Sequence, residues 1–134
     1  MPTVLEDVSV FKPAGARTGL QQFSGKVSTT DNTATVVASI PIAELESFGF
    51  EALVIGRKSD HSARIVAKIS GAAGRASGGN VTLVGTPTVT IQESGASTDF
   101  AVSANTTAQT VEFKGTGITG ETWYWELFGA KFGA

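Results

Sequence analysis

Between Arg64 and Thr90 the chain is laid out as strand, loop and strand again, in residue types that leave few other folds open. Ile65, Ala67 and Ile69 fall on one parity and Arg64 and Lys68 on the other, a period of two that suits a half-buried strand and not a helix. A run of small residues, Gly71 to Gly79, follows as a loop, and Val81-Thr82-Leu83-Val84 reads as the returning arm of a hairpin. Gly85-Thr86-Pro87 closes that arm, and Thr88 to Ile91 begins another strand.

The same pattern continues in both directions. Lys26 to Thr29 leads into the turn Thr30-Asp31-Asn32, and Ala34 to Ile40 forms a strand that Pro41 ends. Ala43-Glu44-Leu45-Glu46 has the composition of one helical turn. Phe48 to Arg57 carries Phe48, Phe50, Ala52 and Val54 on one parity and Leu53 and Ile55 on the other, which predicts a central strand buried on both faces. Phe100 and Val102 are in phase, and Val111 and Phe113 point inward with Glu112 and Lys114 outward. The last strand, Thr122 to Phe128, puts Trp123, Trp125 and Leu127 on one side and Tyr124 and Phe128 on the other. At roughly 25 cal/mol per Å² of buried surface, the two indoles contribute on the order of 8–12 kcal/mol before ordering costs, so this strand should be internal.

Strands at short intervals with no sustained 3.6-residue period define an all-β protein, an antiparallel β-sandwich or jelly roll. A chain of 134 residues fits one such domain, residues 25–134, behind a short N-terminal arm, residues 1–24. The arm combines Val4-Leu5 and Val8-Ser9-Val10-Phe11 with a connector rich in Pro and Gly. It can be read as a first strand of the same sandwich or as a segment that docks on a neighbour.

Composition narrows the chemistry. A net charge of −2 predicts no general attraction to nucleic acid or anionic membrane. The sequence has no cysteine, which excludes disulfides and thiolate chemistry, and its single histidine leaves a zinc site short of ligands. The start of the chain lacks the basic and apolar regions of a signal peptide, and no run is long enough to span a bilayer. His61 stands between Ser59, Asp60 and Ser62, where adjacency does not make a catalytic triad and a solvated turn is the plainer reading. Gly71 to Gly79 lacks the Lys-Ser/Thr of a phosphate loop and leads into a strand, so it reads as a hairpin tip. The expectation is therefore no enzyme, no cofactor and no metal. Arg57, Lys58 and Arg75, with Arg64 and Lys68 nearby, form the one basic concentration, which reads first as a solvated strand face and loop and, as the functional alternative, as a patch that docks on an acidic protein surface. Tyr124, Phe128 and Phe132 form an aromatic stripe of a kind that more often packs against a second sheet or another subunit, with sugar binding as the alternative.

From Phe23 onward the succession VSTTDNTATVVASIPI, EALVIGRKSD, GGNVTLVGTPTV and VEFKGTGITGETWYWE resembles a small β-sandwich domain found in virion proteins of tailed bacteriophages, among them tail-fibre tips and small head proteins. The resemblance implies a non-enzymatic structural protein of the virion, assembled in the host cytoplasm. A short arm with one compact domain suits a capsid decoration or cement protein that forms a homotrimer and binds the major capsid protein. Val8, Val10, Phe11, Leu20 and Phe23 would then be the arm's apolar anchors. The alternative is a tail-fibre or receptor-binding module recognising a host surface glycan or protein.

Overall fold

Alternation of apolar and polar residues gives each strand one greasy side, and two sheets bury those sides against each other. The computed structural model describes residues 20–94 and 98–133. Its strands are β1 (Leu20–Thr29), β2 (Thr35–Pro41), β3 (Glu46–Lys58), β4 (Arg64–Arg75), β5 (Thr82–Leu83), β6 (Thr88–Ser94), β7 (Asp99–Asn105), β8 (Thr110–Thr116) and β9 (Trp123–Phe132). The larger sheet runs β1-β9-β3-β4-β5 with β6 also paired to β4, and the smaller runs β2-β8-β7. Every pairing among the described residues is antiparallel, as expected of an antiparallel β-sandwich.

The core lies between the sheets. From the larger sheet come Trp123, Trp125 and Leu127 of β9, Phe50 and Val54 of β3, and Ile65 and Ala67 of β4. The smaller sheet answers with Ile40, Phe100, Val111 and Phe113. Phe113 meets Phe50 edge-on with centroids 5.4 Å apart and lies 5.2 Å from Phe23, and Phe100 lies 6.0 Å from Trp125. The Trp125 Nε1–H donates to Thr29 Oγ1 at 3.1 Å, which keeps a buried indole N–H satisfied. β9 is flanked by β1 and β3, so the expected internal strand is observed.

Backbones approach these rings closely. A Cβ on Gly115 would stand 2.7 Å from the Trp125 ring and one on Gly56 2.8 Å from it, so both positions need glycine to let the indole lie flat. On β1, a Cβ at Gly25 would overlap the carbonyl oxygen of Val37 in β2, where the register shifts between Val36 and Ala38.

Several expectations change. On the side away from β3, residues 64–70 pair with β6, with Ala67 opposite Ile91 and Ile69 opposite Val89. The stretch Val81–Val84 supplies only β5, which pairs with Ala73 and Gly74. β4 continues straight through Gly71–Arg75, so most of the expected glycine-rich tip is strand and the turn comes at Ser77–Gly78. Two of these glycines lie under side chains of β3: a Cβ on Gly71 would touch the Phe50 ring at 2.8 Å and one on Gly74 the Ser47 hydroxyl at 2.9 Å. The helical turn at Ala43–Glu46 is a β-turn instead, with Leu45 at φ 65°, a left-handed value incompatible with a right-handed helix. β3 is central, but Leu53 and Ile55 are 53% and 44% exposed, so it is buried on one face only. The sheet extends back to Leu20, across the boundary expected at residue 24. Val8, Val10 and Phe11 lie outside the described residues.

One side chain that the sequence did not single out ties the loops together. Gln109, at φ 59° in the β7–β8 turn, accepts from the Val81 amide and donates to Asn80 Oδ1 and the Thr106 carbonyl.

Candidate binding surface

The smaller sheet covers one side of the larger sheet. On the other side, the strand parities that miss the core share a second face, and register places their residues in rows across it. One row is Phe128 (β9), Leu53 (β3), Lys68 (β4) and Thr90 (β6). The next is Ala130, Glu51, Ser70 and Thr88 on the same four strands. Because the second row is mostly short side chains and the first is long, the two rows form a hollow of about 630 Å³. On the other side of Phe128 and Leu53, Ile55 and Glu126 form a row with Val66. Beyond them come Tyr124 and Arg57, opposite each other, with Arg64 beside Arg57. A second hollow of about 560 Å³ lies there, between Lys26, Ser28, Ile55, Arg57, Tyr124 and Glu126.

This face concentrates exposed apolar surface. Leu20, Leu53, Ile55, Tyr124, Phe128 and Phe132 all project from it, each 44–57% exposed. Phe128 is the most open of the aromatics at 57%. Phe132 is placed by β3, since its ring lies across Gly49, where a Cβ would come within 2.8 Å. Tyr124 is stacked under the Arg57 guanidinium at 4.9 Å.

Charges on the face divide into paired and unpaired groups. Lys26 and Glu126 pair across β1 and β9 at 3.7 Å. Among the described residues, Glu51, Lys68, Arg57 and Arg64 have no oppositely charged partner within ion-pair distance. Arg57 Nη1 lies 3.1 Å from His61 Nε2, and Arg64 Nη2 donates to the His61 carbonyl. His61 itself is exposed in the β3–β4 turn at φ 64°, the solvated turn position expected of it. Asp60 in that turn accepts from the Ser62 hydroxyl and amide, and these bonds, with the nearby Lys58 charge, hold its carboxyl below the ordinary value.

The basic residues singled out from sequence are not one patch. Arg57 stands opposite Arg64 at one end of the β3–β4 hairpin, whereas Arg75 stands opposite Glu46 at the other. Arg75 is committed to structure: it donates to the carbonyls of Gly79 and Ile42 and pairs with Glu44 at 3.8 Å. Lys58 pairs with Glu121 at 3.6 Å and Asp60 at 3.9 Å. Of the arm residues, Leu20 is exposed on the open face, and Phe23 is half-buried against Phe113 within its own sandwich. Glu51, Ser70, Thr88 and Thr90 were not legible as a group, because they come from three strands and only register unites them. Among the described residues no cluster of three or more His, Asp or Glu could hold a metal ion, and no helix is long and apolar enough to cross a membrane.

No protein-family model matches the chain, and no curated protein matches it in sequence. Among solved structures, the crystal structure of the Acinetobacter baumannii phage AM24 tailspike protein is similar in fold, with a TM-score of 0.51 at 9% sequence identity. The match covers 86% of this chain and 26% of the tailspike, so the chain spans about a quarter of that protein's length.

Proposed function

We propose that this chain is a structural protein of a tailed-phage particle, a module that binds and does not catalyse, with the open face of its larger sheet as its binding surface. The observation that carries the reading is the gathering of Leu53, Ile55, Tyr124, Phe128 and Phe132 on one sheet face that no described strand covers, where an isolated sandwich would place polar residues. The finer reading is a capsid decoration or cement protein. Its partners would be the major capsid protein and two further copies of the chain, and the segment 1–24 would assist attachment. Multivalent contact of that kind stabilises a shell without any single strong bond.

A tail-side receptor-binding module is the second reading, and the likeness to a phage tailspike favours it. One set of experiments separates the two. The protein is located on purified particles by labelled antibody, and the recombinant chain is titrated against emptied capsids and against host cells. Label over the head and saturable capsid binding support decoration. Label at the tail and cell binding support the receptor module. Absence from the particle overturns both.

A further inference from the structure

We infer that the open face takes a linear acidic saccharide, seated with one unit in the Phe128–Lys68 hollow and extending along β9 and β3 toward Tyr124 and Arg57. The inference rests on that face being the binding surface and on the receptor-binding reading given second above, for which it names the class of ligand.

The hollow has the make-up of a saccharide site. Phe128 offers an open ring face at its edge, and its floor and walls carry Glu51, Lys68, Ser70, Thr88 and Thr90. Among the described residues none of these five polar side chains makes a side-chain hydrogen bond or an ion pair, so no described group competes with a ligand for them. Hydroxyls that both donate and accept, a carboxylate that accepts and an ammonium that donates together match a ring carrying several hydroxyls and a carboxylate. The volume of about 630 Å³ is in the range of small-molecule sites.

Charge and spacing supply the rest. Among the described residues, the cations without carboxylate partners on this face are Lys68, Arg57 and Arg64, against Glu51 alone, so the face favours an anion although the chain as a whole is at −2. Tyr124 and Phe128 are four residues apart on one side of β9, about 13–14 Å at the usual strand rise, with one hollow beside each. Two consecutive hollows along one strand pair suit an extended chain better than a single compact molecule.

The test is calorimetric titration of the full chain with uronate- and sialate-containing oligosaccharides, a neutral oligosaccharide of equal length, and polyglutamate. Binding of at least one acidic oligosaccharide is expected, weaker binding of the neutral one, and a loss of about tenfold or more in affinity for both Lys68→Ala and Phe128→Ala. Arg75→Ala, at the far end of the hairpin, should leave affinity unchanged. The inference is overturned if no acidic oligosaccharide binds, if binding survives both face variants, or if polyglutamate binds as tightly. The two proposals fail separately. Absence from purified particles would remove the virion role and leave saccharide binding standing, whereas loss of binding by a protein still present in particles would do the reverse.

Discussion

The two faces of the larger sheet are built from the same strands and have opposite fates. On β9, Trp123, Trp125 and Leu127 are at most 1% exposed, while their neighbours Tyr124 and Phe128 are 44% and 57% exposed. Both sets are aromatic or apolar, so residue type does not separate them. What separates them is a second layer: β2, β8 and β7 stand over one side, and no described strand stands over the other. An apolar residue in a strand therefore reports readiness to be covered. Whether it is covered by its own chain or by something else depends on the layer count.

The comparison makes predictions that differ sharply between the faces. Trp125→Ala should cost about 3–5 kcal/mol in chemical denaturation and leave little folded protein at elevated temperature, since it empties the contact with Phe100 and strands Thr29 Oγ1. Next comes Gly25→Ala, expected to cost roughly 1–3 kcal/mol by forcing β1 away from the Val37 carbonyl, again measured by denaturant midpoint. Thr29→Val keeps the shape but leaves the Trp125 N–H without its acceptor, so a loss of about 1–3 kcal/mol is expected in the same denaturant titration. On the open face, Phe128→Ser should change stability by no more than about 0.5 kcal/mol. A loss as large as that of Trp125→Ala would mean the face is covered and would erase the distinction.

The smallest effect is one of pH, at the hairpin end of the open face. Asp60 has a folded pKa below its ordinary 3.8, so the stability it lends is present above that value and fades as pH falls through the lower, folded one. Asp60→Asn should accordingly flatten the acid limb of a stability-versus-pH curve below about pH 4 and leave the neutral region alone. A change confined to neutral pH would contradict this assignment.

Much of the fold was legible because period-two alternation is a local property. Val111 and Phe113, Phe100 and Val102, and the two tryptophans all point where their parity placed them. Pairing was less legible. The alternating run after Arg64 finds its partner in Thr88–Ser94 and not in the nearer Val81–Val84, because Gly71 and Gly74 let β4 run on beneath Phe50 and Ser47 and push the turn further out. The binding surface was legible only in fragments. Tyr124 and Phe128 could be seen sharing a parity, but Arg75 was grouped with Arg57 and Lys58 by closeness in composition, and the hairpin holds Arg75 at its opposite end.

By itself, the order of residues determined where most of the strands lie, the Gly71–Arg75 end of β4 excepted, and which residues of a strand share a side, since the pleat turns alternate residues to opposite sides whatever the surroundings. It also determined that the two indoles would be buried, their area being too large to leave in water. Only the tertiary structure decided which strands are neighbours and which apolar side stays open. Those depend on register between distant segments and on a three-stranded layer that can shield one side of a six-stranded sheet but not both.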